Sequence, residues 1–351
     1  MKATVIHAPG DVRLTEVPDP QVVLPTDAVV RVVASCVCGS DLWPYRGANA
    51  VDEPRRIGHE FVGVVEEVGP EVTGVRPGQF VIAPFVWSCG ECAACRWGMQ
   101  TSCERGGGWG GEDRDGHFVD GGQGEAVRVP RADGTLVPVD GIDAAVDERL
   151  LASLLTCSDV MGTGWHAALR AGVQPGETVA VVGDGAVGLC AVLAAGLQGA
   201  ERVIAMSRYP QRQAVARTFG ATDIIETRGD EGVEALRELT DGWGADRVLE
   251  CVGTHDSMLQ AIRSARPGGT VGYVGVPHGI ELPIELMFRR NVNLAGGVAP
   301  AREYAPMLRD KVLAGEINPG QVFDAVMPLA EVARAYTAMD ERTAIKVMLR
   351  P

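Results

Sequence analysis

The sequence predicts an α/β protein: an irregular β-rich region, then a doubly wound parallel sheet, then a short return segment. Three observations predict it. Up to about residue 150 the chain is a series of short β-like runs, such as Ala28–Val33, Phe61–Val65 and Gln79–Ala83, punctuated by turn signals such as Gly69-Pro70 and Pro77-Gly78. Beyond it, strand and helix patterns alternate at the spacing of βαβ units. One of those strands runs into Gly183-Asp184-Gly185-Ala186-Val187-Gly188, and a helical pattern follows.

In order, a helical run over 150–171 leads to a strand over 178–182 and a second helix. A strand over 202–206, a helix over 211–219 and a strand over 223–225 come next. A helix over 231–239 and strands over 246–251 and 270–274 complete the alternation. The tail beyond about residue 297 carries two helical segments and a strand-like run over 345–349. Between Cys103 and Gly124 a glycine-rich, charged stretch reads as a long surface loop. The expected divisions are residues 1–153, 154–296 and 297–351.

Composition narrows the function classes. At 351 residues the chain is long enough for two domains with their own cores. Its 46% hydrophobic and 22% charged content reads as a soluble globular protein, not a disordered one. Asp and Glu outnumber Lys and Arg 46 to 32, for a formal net charge of −14. That balance argues against nucleic acid and anionic membranes as partners, because both need a basic face. The longest apolar stretch, Val179–Ala200, is interrupted by Asp184 and several glycines and does not read as a membrane span. The opening Met1-Lys2-Ala3-Thr4-Val5-Ile6 reads as a strand and not a secretory leader, which predicts a cytoplasmic location. In that setting nine cysteines, six of them before residue 104, point to metal ligands over disulfides.

The glycine turn at 183–188 has the spacing of a dinucleotide site. Gly183 permits the tight turn, Gly185 lets a pyrophosphate approach the backbone, and Gly188 allows close helix packing. The amides of Ala186 and Val187 then stand at the start of a helix, where an anion is favoured. Val187 also falls where it would press on the nicotinamide. An NAD site usually carries an acid at the end of the next strand, on the ribose hydroxyls. This chain has Ser207-Arg208-Tyr209 there, with Arg212 one turn on. A hydroxyl and an Arg fork suit a 2′-phosphate, and Tyr209 suits the adenine, so NADP(H) is expected over NAD(H).

Cys89, Cys92, Cys95 and Cys103 follow one another at spacings of three, three and eight. Four thiolates on one short lobe make a closed tetrahedral zinc site, structural because no position is left for water. A second set is dispersed: Cys38-Gly39-Ser40-Asp41, Gly58-His59-Glu60 and Cys157-Ser158-Asp159. One Cys, one His and one further anion would leave zinc an open position, the requirement for catalysis. Taken singly, each has an ordinary reading as a buried Cys, a satisfied His or a helix-start Asp.

These motifs, in this order and at these separations, resemble the zinc-dependent alcohol dehydrogenases of the medium-chain dehydrogenase/reductase superfamily. The resemblance covers essentially the whole chain. It implies a GroES-like catalytic domain built from both chain ends, around a central Rossmann domain that binds NADP. It implies reversible oxidation of an alcohol to an aldehyde or ketone, with the substrate oxygen on a catalytic zinc and hydride passing to the nicotinamide. Two zinc ions per chain are expected, one catalytic and one structural, in a homodimer or homotetramer.

Carried over by position, Cys38 and His59 become zinc ligands, Ser40 holds the substrate oxygen and relays its proton, Asp41 orients His59, and Glu60 stands behind the metal or ligates it transiently. The third ligand falls six residues before the aromatic Trp165, which points to Asp159, with Cys157 as the alternative. Trp43 stands where many members carry a relay histidine; an indole cannot exchange the proton, so Trp43 is assigned to the pocket wall with Phe85, Trp109 and Met161. Lys346 is a candidate partner for the cofactor pyrophosphate. Cys36, Cys190 and Cys251 read as small core residues. The rival readings are a polyol, amino-alcohol or formaldehyde-type zinc dehydrogenase and, from a different class, a non-catalytic NADPH-binding regulator.

Overall fold

The computed structural model describes residues 1–351. The chain forms two compact units, Met1–Asp159 with Pro300–Pro351, and Val160–Ala299.

The first unit is built on a seven-stranded sheet. Its main path runs through Val137–Val139, Phe80–Ala83, Phe61–Val68, Ala28–Cys36, Val347–Arg350 and Ala325–Pro328, with Ala126–Val129 also pairing Ala28–Cys36. The central strand Ala28–Cys36 is buried at all but Arg31 and apolar at all but Arg31 and Ser35, as expected of a strand covered on both faces. Its antiparallel register pairs Ser35 with Phe61 and Cys36 with Met348, and Phe61 in turn pairs with Ala83. Residues just past one strand therefore lie beside residues just before or after its neighbours, at one end of the sheet. A smaller sheet joins Lys2–Ala8 to Asp11–Glu16 and Arg55–Arg56.

The glycine-rich stretch expected as a surface loop is not free of the core. It contains the hairpin of Gly111–Glu112 and Phe118–Val119, and Asp113, Asp120 and Gln123 are buried. The wholly buried Arg128 holds it, donating from Nε to Asp27 at 2.7 Å, from Nη2 to Asp113 at 2.7 Å and from Nη1 to the Phe118 carbonyl at 2.9 Å. Two carboxylates facing it balance the charge of an Arg this buried.

The second unit is a six-stranded, all-parallel sheet in the order Asp223–Ile225, Arg202–Met206, Thr178–Val182, Ala245–Glu250, Ala265–Tyr273, Asn293–Gly296. Several elements differ from the sequence expectation, among them the helix Ile284–Arg290 and the strand Asn293–Gly296, which it did not include. The single helical run over 150–171 is two helices, Glu148–Thr156 and Val160–Ala171, because the chain turns at 157–159 although its apolar pattern continues. The helix His255–Ser264, which periodicity did not reveal, starts at a capping box of Thr254 and Ser257.

Candidate active site and dinucleotide turn

The sheet register assembles the first site. Cys38 lies two residues past the strand Ala28–Cys36, and His59 and Glu60 immediately precede Phe61–Val68. The pairing of Ser35 with Phe61 brings them together. The turn after Glu148–Thr156 is fixed by a bond from the Phe85 amide to the Ser158 carbonyl (3.0 Å), and it delivers Asp159 to the same end. One ligand atom each from Cys38, His59, Glu60 and Asp159 falls within a 4.8 Å sphere of mutual distances. Cys157 is outside that group; its wholly buried thiol points to the Ser153 carbonyl at 3.6 Å, and burial pushes it up to about 12.

A second layer orients these groups. The Asp41 carboxylate accepts from the Cys38 amide at 2.9 Å and lies 3.4 Å from His59 Nδ1, while Nε2 faces Asp159 at 3.7 Å. Gln123 donates to Asp41 at 3.1 Å and to the Cys36 carbonyl at 3.0 Å, and accepts from the buried Tyr336 hydroxyl at 3.0 Å. Gly58 admits this amide. Its φ is +101°, and a Cβ there would stand 2.4 Å from Gln123 Cγ.

Burial, then the charge of Glu60, raise the Cys38 thiol above its ordinary value. Burial acts to depress His59, but interactions with Asp41, Cys38 and Asp159 outweigh it and lift the imidazole well above its usual range. A Cys–His–carboxylate set suits zinc, as do its mutual distances.

Lys346 corrects an expectation. Its strand neighbours put it opposite Cys38, not on the surface, and at 1% exposure its ammonium donates to Glu60 at 2.7 Å and to the Val37 carbonyl at 3.2 Å. A buried carboxylate within reach claims the charge that was expected to meet a phosphate. The four pocket-wall residues are not equivalent either. Phe85 stands edge-on to His59, with ring centroids 6.4 Å apart, and Trp109 donates to the Pro84 carbonyl at 3.0 Å and packs on Phe61. Trp109 also lines a cavity of ≈ 230 Å³ with Ser40, Asn49, Arg55, Arg56 and His59. Trp43 is half-buried on the short helix Leu42–Tyr45 and does not line that cavity. Met161 is wholly buried in the helix Val160–Ala171, so it is a core residue and not an open wall.

Cys89, Cys92, Cys95 and Cys103 also gather within 4.8 Å. Their sulfur–sulfur contacts of 3.4, 3.6, 3.8 and 4.0 Å bracket the ~3.8 Å edge of a tetrahedron with ~2.3 Å metal–sulfur bonds. The thiols are unequal: backbone amides of Cys95 and Glu104 pull Cys92 down to about 6, while burial and neighbouring thiols push Cys95 up to about 12. Four thiolates therefore need a bound cation.

In the second unit the glycine turn behaves as its spacing suggests. Gly183 has φ +116°, and a Cβ on Gly188 would stand 1.9 Å from the Gly183 carbonyl oxygen. A Cβ on Gly185 would meet nothing within 4 Å, so this backbone is open to a ligand, and Gly185, Ala186 and Val187 are all half-exposed. The helix Ala186–Leu197 starts there. The predicted phosphate residues are divided. Arg208 is exposed and Tyr209 half-exposed, but Ser207 and Arg212 are buried and turned onto Asp184, so their expected place at an open phosphate is corrected. Cys36 and Cys190 are wholly buried, whereas Cys251 is only partly so.

Two family models match the chain: the alcohol dehydrogenase GroES-like domain over residues 24–140 and the zinc-binding dehydrogenase over residues 186–311. The chain is a zinc-dependent alcohol dehydrogenase of the medium-chain dehydrogenase/reductase superfamily. This dehydrogenase is 37% identical over 357 residues to a probable zinc-binding alcohol dehydrogenase of Mycobacterium tuberculosis, covering 100% of this chain and 89% of that protein. It superposes on the alcohol dehydrogenase TADH from Thermus sp. ATN1 with a TM-score of 0.90 at 32% identity, covering 100% and 99% of the two chains. A zinc-binding dehydrogenase from Sinorhizobium meliloti, solved bound to NADP, matches with a TM-score of 0.83 at 28% identity over 100% and 99%. The dehydrogenase is thus an enzyme with a GroES-like domain and a parallel-sheet nucleotide fold acting on a small molecule. No helix in it is long and apolar enough to cross a membrane.

Proposed function

We propose that this enzyme is an NADP(H)-dependent alcohol dehydrogenase or carbonyl reductase holding two zinc ions per chain. The observation that carries the reading is the convergence of Cys38, His59, Glu60 and Asp159 beside a cavity lined by Ser40. Cys38, His59 and Asp159 hold the catalytic ion, and Cys89, Cys92, Cys95 and Cys103 the structural one. When bound, the catalytic zinc supplies Lewis acidity, polarising a carbonyl or lowering the pKa of an alcohol.

The chain's own groups do the rest. Asp41 fixes His59 through Nδ1, leaving Nε2 for the metal. Ser40 holds the substrate oxygen and relays its proton to water or the cofactor ribose, since the indole of Trp43 cannot take part. Glu60, neutralised by Lys346, is the buried anion behind the ligands. Gly183, Gly185, Ala186, Val187 and Gly188 cradle the pyrophosphate, and Arg208 and Tyr209 meet the adenosine 2′-phosphate end. The relative solved with NADP supports that choice. The units 1–159 with 300–351 and 160–299 then serve as catalytic and cofactor domains, in a homodimer or homotetramer in the cytoplasm.

The polar lining around Ser40 favours one variation, a polyol or amino alcohol as substrate, because Asn49 and Arg55 offer partners to a second polar group. A panel of simple alcohols, aldehydes, ketones, polyols and amino alcohols, followed by nicotinamide absorbance with both cofactors, tests the reading. Turnover with NADPH or NADP⁺ and two zinc ions per chain are expected. No turnover with any substrate, or one zinc per chain, would overturn it, and Arg208→Asp leaving the NADPH preference intact would overturn the cofactor assignment.

A further inference from the structure

The parallel register between Thr178–Val182 and Arg202–Met206 pairs Val182 with Met206, so the chain leaves both strands side by side. Asp184, two residues past one strand end, meets Ser207, one residue past the other. The Ser207 hydroxyl donates to Asp184 Oδ2 at 2.9 Å. Arg212 Nη1 donates to the Asp184 carbonyl at 3.1 Å and lies 3.4 Å from its Oδ1. All three side chains are nearly buried, at 8%, 1% and 7% exposure. A carboxylate therefore sits inside the dinucleotide turn, between its first two glycines, on the two groups best suited to a 2′-phosphate.

We propose that Asp184 is a specificity-determining residue that lowers affinity for the 2′-phosphate and so sets the ratio of NADP(H) to NAD(H) use. The proposal rests on the dinucleotide reading above. A serine hydroxyl has one hydrogen to donate, and Ser207 has given it to Asp184. The guanidinium of Arg212, stacked over Tyr209 at 5.3 Å, spends its charge on the same carboxylate. A phosphate dianion brought to this corner meets the Asp184 carboxylate, with the Ser207 hydroxyl and the Arg212 guanidinium already engaged by it, while the exposed Arg208 attracts it. In place of an acid at the end of the second strand, the chain carries one on the neighbouring turn, held by the residues it restrains. The outcome is an enzyme that binds both cofactors, with the balance set by Asp184 against Arg208.

The test uses the intact enzyme and two probes that differ only by the 2′-phosphate, 2′,5′-ADP and 5′-AMP, titrated calorimetrically. Asp184→Asn keeps the size and the acceptor while removing the charge; Asp184→Ala also frees Ser207. Both are expected to raise the affinity ratio of 2′,5′-ADP to 5′-AMP about tenfold, with NADPH and NADH following in fluorescence titrations. An unchanged or lower ratio, with 5′-AMP still bound, would overturn the role of Asp184 alone. Wild-type enzyme that binds neither probe nor either dinucleotide would overturn the dinucleotide reading itself. Should both Asp184 variants fail to fold, Ser207→Ala decides. With its hydrogen already committed, the loss should leave 2′,5′-ADP affinity within about twofold, and a tenfold drop would sink the proposal.

Discussion

The two metal-capable clusters of the first unit are made in opposite ways. The four-cysteine lobe takes all its donors from fifteen consecutive residues and needs little around it beyond backbone amides. The cluster at Cys38 draws on three distant segments and is placed by strand register, a buried Asp41–Gln123–Tyr336 chain and the Glu60–Lys346 pair. A site that only has to hold can be local and chemically uniform. A site with a position left open has mixed donors, and the surrounding fold must keep them apart.

Substitutions can break that contrast. The largest expected effect is at the mixed cluster: Asp159→Ala should lower kcat/KM by about a thousandfold or more and remove one zinc per chain. Cys157→Ala should keep both ions and cost only about 1 kcal/mol of stability. Elemental analysis with steady-state kinetics checks this, and the reverse pattern would hand the ligand role to Cys157. In the lobe, Cys95→Ser should also remove one zinc, but its cost should appear in thermal stability, with activity reduced by less than about tenfold. Equal losses of activity at both clusters would erase the distinction drawn here.

Two smaller effects sharpen it. Lys346→Met leaves the carboxylate of Glu60 buried and unpaired, which should cost about 3–5 kcal/mol in denaturant unfolding, and adding Glu60→Gln should recover most of that loss. His166, in the second unit, is 3% exposed; burial and the neighbouring Arg170 hold its imidazole down at about 4. It is neutral when folded and takes a proton only on unfolding as the pH drops below about 6.5, its ordinary value. Stability should therefore decline as pH falls from about 6.5 toward 4, and His166→Gln should flatten that decline.

What could be read from the sequence follows the same division. The grouping of the four lobe cysteines was legible because their spacing is itself the geometry. The strand–turn–helix at 178–197 was legible for the same reason, every glycine being local to its task. Lys346 was misread because its partner is fixed by the pairing of Cys36 with Met348, which no local pattern encodes. Gln123 and Tyr336 were passed over for that reason too, although a buried amide beside three glycines was a signal. The turn at Cys157-Ser158-Asp159 hid inside a continuous apolar periodicity, and Ser207 and Arg212 were assigned to a 2′-phosphate on residue type alone, while the Asp184 that engages them sits on a different turn. The capping residues Thr254 and Ser257 were visible and would have revealed the helix at 255–264.

The pairing of Cys36 with Met348 also bears on how the enzyme is made. Every donor of the mixed cluster lies at or before residue 159, yet the lysine that pairs with its Glu60 lies at 346, beside the strand Val347–Arg350. Glu60 must wait for Lys346, across 286 positions, before its charge is balanced. The sheet pairing is of the slow, non-local kind. The strand Val347–Arg350 lies between Ala28–Cys36 and Ala325–Pro328, so closing this sheet and pairing Glu60 with Lys346 are one event.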